Sequence, residues 1–207
     1  MDATNLVSEF RIVPVVAIDN VELAVPLAET LLQSGIGIIE ITLRTPDALA
    51  AIEAVARSVP DMLTGAGSIR HAAQMSDVAR AGARFAVSPG SSDALLSAAS
   101  DYELPFIPGA VTPSEVIALL ERGYQLQKFF PAEAAGGIPF LKSIASPIPE
   151  ASFMPTGGIS AKLAESYLGL PNVSGVGGSW ITPSDLLAAG DFNRIGALAA
   201  DAATLGV

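Results

Sequence analysis

Lys128 stands where an ammonium is hard to accommodate. It lies in Tyr124-Gln125-Leu126-Gln127-Lys128-Phe129-Phe130-Pro131, a run that reads as a buried strand. A buried, unpaired ammonium costs several kcal/mol, and a lysine held that way tends to give up its proton. The neutral amine is a nucleophile toward carbonyl carbon, so the chemistry it suggests is imine formation. Taken alone, this strand fits equally well an edge or surface lysine whose stem lies along apolar neighbours with its head in water.

A second chemical group comes from Gly37-Ile38-Ile39-Glu40-Ile41-Thr42-Leu43-Arg44-Thr45. Strand periodicity puts Glu40, Thr42 and Arg44 on one face and Ile39, Ile41 and Leu43 on the other. A carboxylate and a guanidinium facing inward form either an internal ion pair or a pair of working groups, since buried charges are usually paired. With Lys128 inward from another strand, Glu40 supplies a base beside an activatable amine.

Glycines punctuate the ends of later strands. Thr156-Gly157-Gly158-Ile159-Ser160 precedes a helical pattern, and Gly175-Val176-Gly177-Gly178-Ser179-Trp180 follows the last strand-like run, read at Val173–Val176. Glycine lets backbone N–H groups approach an anion closely, and a helix start favours negative charge. Both segments are equally readable as tight turns. Ser68, in Gly65-Ala66-Gly67-Ser68, carries a hydroxyl that can donate to a carboxylate; Ser88-Pro89-Gly90 and Pro108-Gly109-Ala110 read as turns. His71 reads as a surface or capping residue, and Trp180 as packing under the glycine loop.

Composition narrows the function classes. The 207 residues are half apolar, with mean hydropathy +0.49, ample for a sizeable core. The net charge of −10 argues against nucleic acid and anionic membrane as partners, so any anion site must be built locally from backbone N–H groups and a few cations. There is no cysteine and one histidine, which speaks against a disulfide framework and a zinc site; no metal is expected. Met1-Asp2-Ala3-Thr4-Asn5 lacks a signal-peptide pattern, and no apolar run approaches the roughly 20 residues that span a bilayer. A cytoplasmic protein is expected.

These residues need a scaffold. Short β-branched runs recur near 12–17, 37–43, 62–65, 85–88, 105–108, 125–130, 152–155 and 173–176. Helical patterns lie between them at 21–33, 48–57, 72–81, 92–99, 113–121, 139–144 and 161–168, several preceded by capping residues such as Asn20, Ser91, Thr112 and Ser160. Strand–helix alternation without a linker predicts one α/β domain over 1–207, a parallel sheet covered by helices. Eight repeats predict a closed (β/α)8 barrel, with an open doubly wound sheet as the alternative. In such a barrel chemistry sits at the C-terminal ends of the strands, and the loops after strands seven and eight often bind phosphate.

Six motifs, in this order, resemble the 2-keto-3-deoxy-6-phosphogluconate aldolase family, some members of which also act on 4-hydroxy-2-oxoglutarate. They are Glu40-Ile41-Thr42-Leu43-Arg44-Thr45, Gly65-Ala66-Gly67, Ser88-Pro89-Gly90, Lys128-Phe129-Phe130-Pro131-Ala132-Glu133, Pro155-Thr156-Gly157-Gly158-Ile159 and Gly178-Ser179-Trp180. The resemblance covers nearly the whole chain; the lysine motif is specific, the glycine pairs are not. It implies a cofactor-free class I aldolase of the Entner–Doudoroff route, in which Lys128 forms the Schiff base and Glu40 shuttles protons. Arg44 and the Ser68 hydroxyl would hold the pyruvate carboxylate, and Gly157, Gly158, Gly178 and Ser179 the phosphate of a phosphorylated keto acid. It also implies a homotrimer. The family usually has threonine where this chain has Ser68, and Arg70 and His71 also depart from its pattern. Rival readings are the galactonate epimer as substrate, a phosphate-binding barrel isomerase in which Lys128 is only a cation or acid, and a non-catalytic sugar-phosphate binder.

Overall fold

The computed structural model describes residues 3–102 and 104–206; positions 1, 2, 103 and 207 of the expected 1–207 unit lie outside the described residues. Eight strands alternate with helices: β1 (Ile12–Val16), β2 (Ile38–Thr42), β3 (Leu63–Gly67), β4 (Phe85–Val87), β5 (Phe106–Ile107), β6 (Leu126–Phe129), β7 (Ser152–Pro155) and β8 (Val176–Gly178). The helices are α1 (Ala3–Phe10), α2 (Ala24–Gln33), α3 (Ala48–Ser58), α4 (Ala73–Arg80), α5 (Asp93–Ser100), α6 (Pro113–Glu121), α7 (Gly137–Ala145), α8 (Ala161–Leu168), α9 (Ser184–Ala188) and α10 (Phe192–Ala203).

The expected alternation comes from simple patterns. Helix α2 buries Ala24, Leu27, Ala28 and Leu31, and α3 buries Ala48, Ala51, Ile52 and Val55. Each set is spaced i, i+3, i+4, i+7, one apolar stripe per helix. Fully burying a side chain such as Leu27 contributes about 1.5–3 kcal/mol, which outweighs weak local propensity. Ser92, rather than the expected Ser91, caps α5 by accepting from Leu95 N–H, and Ser160 caps α8 through Leu163 N–H.

Helix α6 starts on a full capping box: Thr112 accepts from Glu115 N–H, Glu115 Oε2 accepts from Thr112 N–H at 2.8 Å, and Pro113 opens the first turn. Val111 N–H, donating to the same carboxylate, holds the Glu115 carboxyl below the usual carboxylate range against the opposing effect of burial; Thr112 adds to the lowering. A group whose folded pKa is depressed contributes stability above its unfolded pKa and loses it as pH falls through the folded value. Glu115→Ala is therefore expected to lower stability by about 0.5–1 kcal/mol at pH 7, a modest figure because the site is solvent-screened. Urea midpoints at pH 7 and pH 3 check this: the gap to the parent protein should shrink in acid.

All strand pairs are parallel. One six-stranded sheet runs β5-β4-β3-β2-β1-β8, and β6-β7 forms a separate pair. Isolated bridges join their edges, Gly109 to Lys128 on one side and Phe153 to Val173 and Thr156 to Gly177 on the other. Around Lys128 the backbone is tied to the segment after β5, with Lys128 N–H donating to Pro108 O at 2.8 Å and Ala110 N–H to Lys128 O at 3.0 Å. The ladder is thin there because Phe106–Ile107 sits between Pro105 and Pro108, and proline has no N–H to extend it.

Two expectations need correction. The last strand is Val176–Gly178, not Val173–Val176; Val173 makes only the bridge to Phe153. Glycine is required there because a Cβ on Gly177 would lie 2.3 Å from Thr156 Oγ1, and one on Gly178 would lie 1.7 Å from the Trp180 ring. The Gly177–Gly178 pair is thus strand rather than loop, and only Ser179 stands beyond it. Helices α1, α9 and α10 were also unexpected; α10 buries Ile195, Ala199 and Ala202, an alanine-dominated stripe with a weak signal.

Candidate active site

Strand β2 carries Glu40 into the interior, with Val15 of β1 and Gly65 of β3 as its register partners. Its side chain is 0% exposed, and that of Lys128 on β6 is 5% exposed. The two meet directly: Lys128 Nζ donates to Glu40 Oε1 at 2.9 Å, across 88 residues of sequence. The amine is thus buried but paired, with the expected base as its partner. The pair satisfies the charge of each member, and desolvation is offset only through that contact. Glu40 Oε2 is buried without a hydrogen-bond partner among the described residues, so one carboxylate oxygen remains open to accept a proton.

Room for this carboxylate is made by glycine. A Cβ on Gly67 would fall 2.0 Å from Glu40 Oε1, and one on Gly65 would fall 2.1 Å from the Phe85 ring. Phe85 thus fills the interior over Gly65, while Gly67 leaves the space that the Glu40 head occupies. The Gly65-Ala66-Gly67 motif completes strand β3, which runs two residues past the expected end at Gly65, and shapes the site from within.

Above the pair lies a cavity of about 470 Å³ lined by Lys128, Arg44, Ser68, Gly157, Gly158, Gly178 and Ser179, all singled out from sequence, and by Arg70, Thr156 and Phe130. Glu40 sits below the lining and reaches it through Lys128. Arg44 is not on the β2 face as periodicity suggested: the strand ends at Thr42, and Arg44 belongs to the following turn. It is still aimed by that strand, because Arg44 Nε donates to Thr42 Oγ1 at 2.9 Å while Thr42 Oγ1 donates to Val16 O at 2.9 Å. Ser68 has φ of 61°, a left-handed conformation that is uncommon outside glycine and worst for β-branched residues. His71 is exposed and does not line the cavity.

Gly157 and Gly158 have φ of +104° and +78°, which only glycine adopts readily. Their loop is fastened to the segment after β6, with Ala132 N–H donating to Thr156 O at 2.8 Å and Glu133 N–H to Gly157 O at 3.2 Å. The Glu133 carboxylate accepts from the Tyr167 hydroxyl of α8. Burial, and then Glu133 itself, push the Tyr167 phenol well above its ordinary pKa. The glutamate of the lysine motif therefore ties the glycine loop to α8. Among the described residues no group of three or more His, Cys, Asp or Glu side chains is placed to hold a metal ion. No helix among them is long and apolar enough to cross a membrane.

An amine and a carboxylate in contact at a cavity floor can form an imine and move its protons. The family model for KDPG and KHG aldolases matches residues 3–198. The chain belongs to that family. Among its relatives is the 2-dehydro-3-deoxy-phosphogluconate aldolase of Dickeya dadantii, 45% identical over 200 residues, covering 97% of this chain and 94% of the relative. Among solved structures, the KDPG aldolase of Legionella pneumophila, with pyruvate captured at low pH as a covalent carbinolamine intermediate, is 45% identical with TM-score 0.94 and covers 97% of each chain. The enzyme of Zymomonas mobilis ZM4 with 3-phosphoglycerate is 38% identical with TM-score 0.91, covering 98% of this chain and 95% of that one. Of the residues that line the cavity of this family member, Arg70 had no functional account from sequence; a cation three residues beyond a strand-end glycine was the available signal.

Proposed function

We propose that the protein is a class I aldolase that reversibly cleaves 2-keto-3-deoxy-6-phosphogluconate to pyruvate and glyceraldehyde 3-phosphate, with 4-hydroxy-2-oxoglutarate as a further substrate. The observation that carries this reading is the 2.9 Å contact of Lys128 Nζ with Glu40 Oε1 beneath the cavity. Arg44 and Ser68 come to that cavity from the turns after β2 and β3, and Gly157, Gly158, Gly178 and Ser179 from the ends of β7 and β8. Substrate carboxylate and phosphate therefore have separate places, which positions the reacting carbons between them.

Glu40 takes a proton from the Lys128 ammonium, and the freed amine adds to the C2 ketone to give a carbinolamine. Glu40 returns the proton to the C2 hydroxyl, which leaves as water, and the iminium forms. Glu40, again a carboxylate, takes the C4 hydroxyl proton and the C3–C4 bond breaks: C4 departs as the aldehyde carbon of glyceraldehyde 3-phosphate, and the bond electrons pass into the iminium as an enamine. Glu40 protonates C3 of that enamine, and water attacks the resulting iminium to release pyruvate and the amine. A closed (β/α)8 barrel in one domain completes the reading, supported by the bridges that join the edges of both sheets. The family resemblance further supports a homotrimer in the cytoplasm.

The test is trapping. Incubation with pyruvate and borohydride should fix a stoichiometric adduct that peptide mass spectrometry assigns to Lys128. An isomerase or a passive sugar-phosphate binder gives no adduct, and its absence ends the aldolase reading.

A further inference from the structure

Arg70 lines the cavity, yet the mechanism above gives it no task. The cavity lining contains three cations, Arg44, Arg70 and Lys128, and no carboxylate residue, in a chain whose net charge is −10. Lys128 is held by Glu40, and Arg44 spends Nε on Thr42. The Arg70 guanidinium makes no hydrogen bond or ion pair among the described residues.

Its backbone, by contrast, is fixed. Ile69 N–H donates to Val87 O at 3.1 Å, and Gln74 Oε1 accepts from both Arg70 N–H at 2.8 Å and His71 N–H at 3.0 Å. A pinned main chain with an uncommitted guanidinium at a cavity edge suits ligand contact better than fold support. Position decides which ligand group it meets. Thr42 and Gly67 are register partners, so the turns carrying Arg44 and Arg70 leave neighbouring strands. In the sheet, β1 and β2 stand between β3 and β8, the strand that ends at Gly178 just before Ser179. Arg70 is therefore on the Arg44 side of the cavity, away from the glycine segment of β8.

We propose that Arg70 is a second carboxylate contact, which with Arg44 holds the carboxylate of the bound 2-keto acid and sets the preference for keto acids over neutral ketones. The inference rests on the aldolase reading and adds to it a residue that distinguishes substrates. A second planar guanidinium on the same side of the cavity as Arg44 gives the carboxylate a further charge-assisted fork, which a point charge reproduces only in part.

The experiment compares the parent protein, Arg70→Met and Arg70→Lys in borohydride trapping, with pyruvate and with hydroxyacetone, a ketone that lacks the carboxylate. Arg70→Met should raise the pyruvate concentration for half-maximal trapping about tenfold, leave that for hydroxyacetone within twofold, and still label Lys128 fully at saturation. Arg70→Lys should fall between Met and the parent. A pyruvate value within twofold of the parent, or an equal rise for both ketones, overturns the proposal while leaving the aldolase reading in place. Absence of a Lys128 adduct in the parent protein is the separate outcome that removes both. Arg70 is exposed, and unchanged thermal unfolding of the variants is the expected companion result.

Discussion

Lys128→Ala is expected to reduce aldol cleavage by ~10⁴-fold or more and to abolish borohydride trapping, because no other cavity-lining side chain offers a primary amine. It should also unsettle the fold. Glu40 is 0% exposed, its Oε1 is bonded by Lys128 Nζ, and its Oε2 has no partner among the described residues. Removing the lysine strands a buried carboxylate, which typically costs about 3–5 kcal/mol, whereas replacing both partners by well-packed neutral groups is often close to neutral. The double substitution Lys128→Met with Glu40→Gln should therefore unfold at a higher urea concentration than Lys128→Ala, yet remain as inactive. Turnover and urea midpoints measured on the same three proteins separate chemistry from stability. If Lys128→Ala kept activity within tenfold of the parent, the imine mechanism would be lost; if the double variant were the least stable of the three, the buried pair would not be the reason for the instability.

The parts of this site that sequence revealed are those that follow from parity and local chemistry. A lysine in an apolar run and a glutamate flanked by isoleucines are visible within a nine-residue window, and both side chains do point inward. Their contact was not visible, since it joins positions 88 apart and depends on how β6 meets the rest of the sheet. Arg44 shows where parity stops: periodicity holds only while the strand lasts, and a turn that begins three residues past Glu40 re-aims the guanidinium through Thr42. Glycines were the hardest to read. Gly157 and Gly158 are glycine for their backbone angles, but Gly178 is glycine for the Trp180 ring and Gly177 for Thr156, reasons that lie in distant or later residues. The eighth strand was misplaced for the same cause, because β-branched Val173 attracts a strand assignment that the close-packed glycines take instead. Helix α10 was missed since its buried face is mostly alanine, which adds little apolar contrast to a sequence rich in alanine throughout.

Gly67→Ala should lower turnover sharply for a change of a single methyl group. The added carbon would lie 2.0 Å from Glu40 Oε1 and 2.6 Å from its Cδ and Cγ, distances that side chains do not tolerate. Strand β3 has little freedom to retreat, being paired to β2 from Ile38↔Leu63 through Thr42↔Gly67, with Leu43 N–H donating to Gly67 O at 2.8 Å just beyond. The carboxylate is the part that moves, and it moves away from the lysine it serves. A displacement of about 1 Å in a catalytic group lowers turnover by ~10²-fold, and overpacking a filled interior removes roughly 1–3 kcal/mol of stability. Gly65→Ala is the control, because its methyl would strike the Phe85 ring 2.1 Å away rather than the carboxylate. Both variants should lose stability, but Gly67→Ala should lose far more turnover than Gly65→Ala at temperatures where both remain folded. Equal losses of turnover would mean that packing alone governs this part of the interior; a selective loss in Gly67→Ala ties the second glycine of the motif to the position of the Glu40 carboxylate, and so to the proton transfers on either side of the imine.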